Sequence, residues 1–456
     1  MEVVWELYIV LSIEREYQVK YITERKRAMF FKKKEKSEVL QEAPLGYWEE
    51  KSYMLAVPKD ESKDLLEGVF ERVAAIEGVE IMGKCLPCEE QPGKIILMYD
   101  GKEYEVGFYE SNFTLPEMLG GQTHYFSEEE IAGMRHAKKA LTVFMEFRED
   151  CKKSYHLQLK LVVAMVPELL GIMDESAEKM ISARWAVMAA NSSVTPGSND
   201  LFMVQAISGK SNEVWLHTHG LCRCGISELE IVQSDKKNYN NHHQVISTLG
   251  SYLLDKKEPF TPGESSAYIG VLTNEQPVVV TYLPWTEGLK EYKKLTLGGA
   301  ADRKESHNSR TGLVFAYKSE EDEQRGKLSK ISEFDRVWGD NPVFFISNEE
   351  TARMKALAME RFHFVKEQAD NKDNKIIIKI GLLVDDADSN MEREHIWFEL
   401  VAFEEDRFKA RLLQEPYNVE GMHTGDEGWY TVEDVTDWMI YTPNFPVSPD
   451  KAYLLV

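Results

Sequence analysis

Apolar positions change their spacing along the chain, and each change predicts an element. YMLAV, from Tyr53 to Val57, has the length of a strand. Over about 62–76, Leu65, Leu66, Val69, Phe70 and Val73 fall at helical spacing. KIILMYD and KEYEVGFYE flank Asp100-Gly101, a dipeptide that closes tight hairpins. Ser127 stands three residues before Glu130, a capping-box pattern that predicts a helix before the apolar strand ALTVFMEF. Helices are predicted over about 154–170 and 175–190, then strands LFMVQAIS, NEVWLHTH and SELEIV, then a helix over about 243–254. YIGVLT, PVVVTYL and TGLVFAY read as three more strands, and the polar stretch LTLGGAADRKESHNSRTG between the last two reads as a mobile loop.

Toward the end the pattern is sharper. Met354, Leu357, Ala358, Phe362 and Val365 trace one stripe of a helix over about 348–367. KIIIKIGLLV, HIWFELVAFEED and RFKARLLQEP read as antiparallel strands. HTGDEGWYTVEDVTDWMIYTP reads as a turn, a strand and a short helix. Thr431 would be the N-cap of that helix, and Val435, Trp438 and Met439 its buried side, facing the strands of Trp397 and Leu412. Helices and hairpins without regular alternation predict an α+β fold of mixed and antiparallel sheets with flanking helices, plus a small C-terminal α+β module. The expected divisions are 1–50, 51–340 with a sub-boundary near 260, and 341–456. There is no internal repeat and no low-complexity tract.

Length and composition add that 456 residues, 43% hydrophobic and 11% aromatic, can bury more than one core. A net charge of −23 disfavours phosphate backbones, so no nucleic-acid partner is expected. One segment, KYITERKRAMFFKKKEK from Lys20 to Lys36, runs the other way. Its Arg25, Lys26, Arg27, Lys32, Lys33 and Lys34 are candidates for contact with an anionic membrane surface or an acidic partner; the alternative is a solvated charged edge. No apolar run reaches the ~18 residues of a membrane span, and the opening MEVVWELYIVLSIERE lacks the features of a secretory signal. Five cysteines fit reduced thiols, so a cytoplasmic location is expected.

Candidate chemistry concentrates in WLHTHGLCRCGISELEI, from Trp215 to Ile231. Side chains alternate across a strand, so His217 and His219 share one face, and Glu228 and Glu230 share one face of the returning strand. If those faces coincide, the four could ligate a divalent transition metal; the alternative is a polar sheet face of histidines hydrogen-bonded to carboxylates. Cys85-Leu-Pro-Cys88 has redox-motif spacing, but EEQPGKIIL after it predicts a loop and strand, not the helix that would activate a thiol. With Cys222 and Cys224 the pair could form a four-thiolate site. No phosphate loop, dinucleotide fingerprint, nucleophile elbow or His-Glu-x-x-His motif is present. In the C-terminal module, Asp437, His423 and Asp426 are candidates for an interaction surface.

The C-terminal stretches EHIWFE, LLQEPYNVEG and GDEGWYTVEDVTDWM resemble the bacterial domain of unknown function 2314. The likeness rests on Trp397, Glu415-Pro416, Gly425-Asp426 and Asp437-Trp438, and covers about the last 110 residues. The middle of the chain, with WLHTHGL and ELEI, is similar to the domain of unknown function 4026. This resemblance implies a bacterial cytoplasmic protein of modular α+β build and brings no catalytic residue with it. The expectation is a non-enzymatic protein without a cofactor that binds another protein or a small ligand. The alternative is a metal-dependent hydrolase built on His217, His219, Glu228 and Glu230.

Overall fold

A computed structural model describes residues 51–456, apart from 90, 117–123, 210, 257–259, 273–274, 304–310, 337–341 and 386–392. The basic segment with Arg25, Lys26, Arg27, Lys32, Lys33 and Lys34 lies outside the described residues. The chain divides into two compact units, one running to Ala186 and resuming at Pro196–Ser347, the other formed by Val187–Thr195 and Asn348–Val456.

The larger unit holds two sheets. The first is antiparallel in every pairing and contains β1 (Lys51–Pro58), β2 (Glu80–Cys85), β3 (Gly93–Tyr99), β4 (Lys102–Asn112), β5 (Lys139–Glu146), β6 (Leu169–Asp174) and β7 (Lys179–Ser182), in the order β2-β3-β4-β5-β1-β6-β7. Asp100 and Gly101, both at positive φ, close the β3–β4 hairpin. The helix Cys151–Met165 contacts β1 and β5 and buries Tyr155, Leu159 and Val162. Its buried Gln158 donates from Nε2 to the carbonyls of Ser52 at 3.0 Å and Val143 at 3.3 Å. The helix Glu128–His136 begins with the expected capping box. The Ser127 hydroxyl accepts from Glu130 N at 3.1 Å, and the Glu130 carboxylate accepts from Ser127 N at 2.7 Å.

Three of the expected helices are shorter than their apolar spacing suggests. The first is only Val69–Ala74. The second stops at Met165, because Pro167 cannot continue it and restricts the residue before, and Leu169–Asp174 becomes β6. The third starts at Ala183, because Glu178 at φ 49° turns the chain and Lys179–Ser182 pairs with β6 first.

The second sheet contains β8 (Met203–Ser208), β9 (Glu213–His219), β10 (Glu228–Asp235), β11 (Ala267–Val271), β12 (Pro277–Pro284), β13 (Thr311–Tyr317) and β15 (Val343–Phe344), in the order β15-β11-β12-β13-β10-β9-β8, with β14 (Ser329–Lys330) on β13. Among the described residues only the β10–β13 pairing of this sheet is parallel. Val245, Ile246, Leu249 and Leu253 form the inner stripe of the helix Tyr239–Asp255 and pack with Leu216, Leu229, Ile231 and Val280. A second cluster joins Trp215, Val232, Leu313 and Phe315 to Tyr292.

The smaller unit is one antiparallel sheet, β16 (Lys375–Leu383), β17 (Arg393–Glu404), β18 (Arg407–Leu412), β19 (Glu427–Thr431), β20 (Val435–Tyr441) and β21 (Pro446–Val447), in the order β19-β18-β17-β16-β20-β21. The expected long helix is two, Asn348–Glu360 and Phe362–Gln368, broken at Arg361, whose Nη1 donates to the Pro449 carbonyl at 2.7 Å. Phe362, Val365, Ile378, Ile380, Phe398, Phe408 and Trp438 make the core.

The expected helix after Thr431 is a correction. Asp434 Oδ2 does accept from Thr431 N at 3.0 Å and from the Thr431 hydroxyl at 3.2 Å, but only around the 3-10 turn Val432–Asp434, after which the chain is the strand β20. A bulge explains the mistaken period. Lys379 opposes Asp437 while Ile380 opposes Val435, so Thr436 is the extra residue. The bulge lets Val435 and Trp438, three apart, both be buried. Among the described residues no helix is long and apolar enough to cross a membrane.

Candidate functional site

The hairpin β9–β10 sets Glu230 opposite His217, but the four expected residues do not form one set. Glu230 is spoken for. Its Oε2 accepts from Trp215 Nε1 at 2.9 Å and Arg303 Nη2 at 2.6 Å, and its Oε1 accepts from Arg303 Nη1 and the Thr311 hydroxyl. The Arg303 guanidinium lies over the rings of Trp215 and Trp285, 5.6 and 4.9 Å from their centroids, and also donates to the Gly298 carbonyl at 2.8 Å. The stretch expected to be a mobile loop thus contributes a fully buried cation through the 3-10 turn Ala300–Arg303.

Glu228 turns to its own hairpin. Its carboxylate accepts from Gly220 N at 2.7 Å, Cys222 N at 3.1 Å and the Thr218 hydroxyl at 2.5 Å, holding the turn that Gly220 and Gly225 make at φ 110° and 73°. Burial raises its pKa above the usual carboxylate range in spite of these donors. His217 and His219 are buried with ring centroids 4.7 Å apart, and Trp215 lies 4.7 Å from His217. His219 Nδ1 is 3.8 Å from the Glu178 carboxylate, which also accepts from Gln205 Nε2 at 2.8 Å. Among the described residues no group of three or more His, Cys, Asp or Glu side chains is arranged to hold a metal ion. A metal on His217 would have to take Glu230 from Arg303.

The turn between the strands carries what the sequence reading missed. Arg223, flanked by Cys222 and Cys224, reaches into the first sheet. Its Nη1 donates to Asp174 Oδ1 at 2.8 Å and Ser52 Oγ at 3.0 Å, and its Nη2 to Asp174 Oδ2 at 3.0 Å and the Leu201 carbonyl. Tyr155 and Phe147 lie against the guanidinium at 5.0 and 5.5 Å. Both charges are buried, so this bidentate pair keys one sheet to the other. Beside it, Lys179 donates to the Asp200 carbonyl, and burial lowers its pKa to about 8. Lys51, Tyr53, Glu175, Ser176, Cys222 and Arg223 line an adjoining cleft of about 260 Å³. An arginine inside Cys-Arg-Cys reads as a turn residue, and nothing in the sequence links it to Asp174, forty-nine positions away.

Cys224 does not join Cys85 and Cys88 in the structure. Its neighbour is Cys151, whose Sγ lies 3.7 Å from the Cys224 carbonyl oxygen, whereas Cys85 and Cys88 are exposed. A strand, not a helix, follows Cys88, as expected.

In the smaller unit, His423 and Asp426 close a surface turn. Asp426 Oδ2 accepts from His423 N at 2.8 Å, and His423 Nδ1 lies 3.2 Å from the Glu415 carboxylate. Asp437 sits half-buried on β20, where its Oδ1 accepts from Trp438 N at 2.8 Å. Burial raises its pKa to about 6. Residues alternating with the core positions form the sheet's other face. There the Lys379 ammonium lies 5.4 Å from the Trp397 ring and the Arg407 guanidinium 4.6 Å from the Trp429 ring. Glu427 pairs with Lys409 at 2.6 Å and Arg411 at 2.9 Å.

Two α+β units, an arginine-keyed pair of sheets and a single sheet backed by helices, define the class of this protein. The chain belongs to the family described as protein of unknown function DUF4026, whose N-terminal region matches residues 52–196 and whose C-terminal region matches 204–315. Residues 351–447 match DUF2314, described as an uncharacterized protein conserved in bacteria. No curated protein and no solved structure matches the chain.

Proposed function

We propose that this bacterial protein works in the cytoplasm as a non-enzymatic binding protein whose C-terminal sheet docks an extended, carboxylate-bearing segment of another protein. The observation that carries this reading is Trp429. It stands on the edge strand β19, is 42% exposed, and is stacked by Arg407. Tyr417, on the loop before that strand, is 90% exposed. Trp, Tyr and Arg are the residues in which interface binding energy concentrates, and an edge strand offers backbone groups to an added strand.

The charges on this face suit acidic groups. Arg407, Lys409 and Arg411 project from β18 and are held by Glu404 and Glu427. Exposed pairs of this kind are worth about 1 kcal/mol or less, so a partner's carboxylates can replace them at little cost. His423, Asp426 and Asp437 are less suited to direct contact, since each already holds local backbone or a neighbouring side chain. Five cysteines in 456 residues, few and odd in number, fit the proposed compartment.

The test is capture of partners from a bacterial lysate by the full chain and by Trp429→Ala and Arg407→Ala variants. Support is a stoichiometric protein that the wild type retains and both variants release. An identical retained set for all three, or no stoichiometric partner under several growth conditions, overturns the reading. Elemental analysis of protein purified without chelators addresses the hydrolase alternative. A stoichiometric transition metal that disappears with His217→Ala would favour that reading over ours.

A further inference from the structure

The turn that carries Arg223 also brings two cysteines from distant parts of the chain together. Cys151 is the first residue of the helix Cys151–Met165, whose N-cap Asp150 accepts from Lys153 N at 3.0 Å. Cys224 ends the 3-10 turn Cys222–Cys224 of the second sheet's hairpin. Cys151 Sγ lies 3.7 Å from the Cys224 carbonyl oxygen, so the contact brings together two cysteines seventy-three positions apart. Both residues are half-buried.

We propose that Cys151 and Cys224 are an oxidation site, at which a hydroperoxide converts the two thiols into a disulfide that staples the helix N-terminus to the hairpin turn. The residues divide the chemistry between them. Cys151 stands at the N-terminus of its helix, where a thiolate is favoured, and the Cys224 side chain and the nearby Arg223 guanidinium lower its pKa, while burial and the neighbouring sulfur raise that of Cys224. Cys151 is therefore the attacking thiolate and Cys224 the resolving thiol.

In the first step, Cys151 Sγ attacks one peroxide oxygen. An S–O bond forms, the O–O bond breaks, and the leaving oxygen departs as water, or as an alcohol from an organic peroxide, after taking a proton. In the second step, Cys224 Sγ attacks the sulfenic sulfur. The S–S bond forms, the S–O bond breaks, and the departing hydroxide takes the Cys224 proton as water. The two thiols lose two electrons and the peroxide gains them. Cys222 and Arg223 of the same turn line the adjoining cleft, so the link fixes one of its walls.

The experiment uses the full chain in a Cys85→Ser/Cys88→Ser background, since those exposed thiols would otherwise consume oxidant. Native protein is treated with hydrogen peroxide at neutral pH, alkylated under denaturing conditions and peptide-mapped. The expected result is loss of two of the three remaining thiols, a Cys151 peptide joined to a Cys224 peptide, and return of both thiols with dithiothreitol. A further Cys224→Ser change should leave Cys151 as a sulfenic acid that a cyclic dione labels. Circular dichroism confirms that each variant is folded. The proposal is overturned if Cys151 and Cys224 stay reduced under peroxide that oxidises free N-acetylcysteine. It is equally overturned if Cys151 in the parent protein is oxidised without the link, or if Cys222 is the residue joined to it.

Discussion

The Arg303 guanidinium and the Glu230 carboxylate meet as a fully buried pair, two nitrogens against two oxygens, with neither side chain reached by solvent. Neither strand position nor loop position announces this. It makes Glu230 a fixed counter-charge and removes it from the ligands available to His217.

Arg303→Met should therefore leave a buried carboxylate without its cation. Breaking such a pair from one side costs roughly 3–5 kcal/mol, because it leaves an uncompensated buried charge, and removing that charge as well relieves the cost. Urea unfolding of the full chain, read from the transition of the larger unit, should show that loss. Adding Glu230→Gln should restore most of it. A single-variant cost below about 1 kcal/mol would mean that water reaches the carboxylate.

Gly220 is a second point of strict demand in the same hairpin. Its φ is 110°, and a Cβ there would lie 2.5 Å from the Leu201 carbonyl oxygen, the acceptor of an Arg223 hydrogen bond. Gly220→Ala combines backbone strain with a clash against backbone, and should cost about 2–4 kcal/mol. Gly299→Ala is the control, because a Cβ there meets nothing within 4 Å. Equal melting temperatures for the two variants would refute this account of the turn.

The hairpin WLHTHGLCRCGISELEI was legible as two strands and a turn because its alternation and its turn are both local, but period alone gives only which side chains share a face, and the register that sets His217 opposite Glu230 comes from the fold. Arg303 was not legible. Its partner lies seventy-three positions away, and its surroundings in LTLGGAADRKESHNSRTG are those of a solvated loop. Arg223 failed for the same reason, since only the packing of one sheet on the other places it against Asp174. At β20 the fault was different. A bulge at Thr436 spaced two buried residues three apart, which is the local signature of a helix. The family likeness was legible because its motifs are short and contiguous, and it supplied architecture without chemistry.

Trp438 is fully buried, and its Nε1 donates to the Ala358 carbonyl at 3.0 Å, fastening the sheet to the helix Asn348–Glu360. Trp438→Ala should cost roughly 3–5 kcal/mol in the smaller unit, the range for large aromatics removed from cores. Trp438→Phe keeps most of the volume and gives up the hydrogen bond, so about 1–2 kcal/mol is expected. Melting of the full chain, followed through the smaller unit, separates the two. An unchanged midpoint for the alanine variant would show that the indole is not part of this core.

Asp437 gives the smaller unit a pH dependence of unusual sign. Burial raises its pKa from 3.8 to about 6, against the hydrogen bond from Trp438 N and the Lys379 charge, which lower it. The folded state then holds this proton more tightly than the unfolded state does. Its contribution is complete below about pH 4, declines as pH rises through the interval to about 6, and is lost above it. The shift limits the effect to about 3 kcal/mol. Asp437→Asn keeps an oxygen for the Trp438 amide and removes the titration. At pH 7 the variant should therefore be more stable than the wild type, and near pH 4 the two should agree. Other carboxylates of this unit, Glu360 and Glu427 among them, have lowered pKa values and push stability the opposite way, so the difference between the two proteins is the quantity to follow. A difference that does not change between pH 4 and 7 would place the Asp437 carboxylate in water, and it would then be available to a partner.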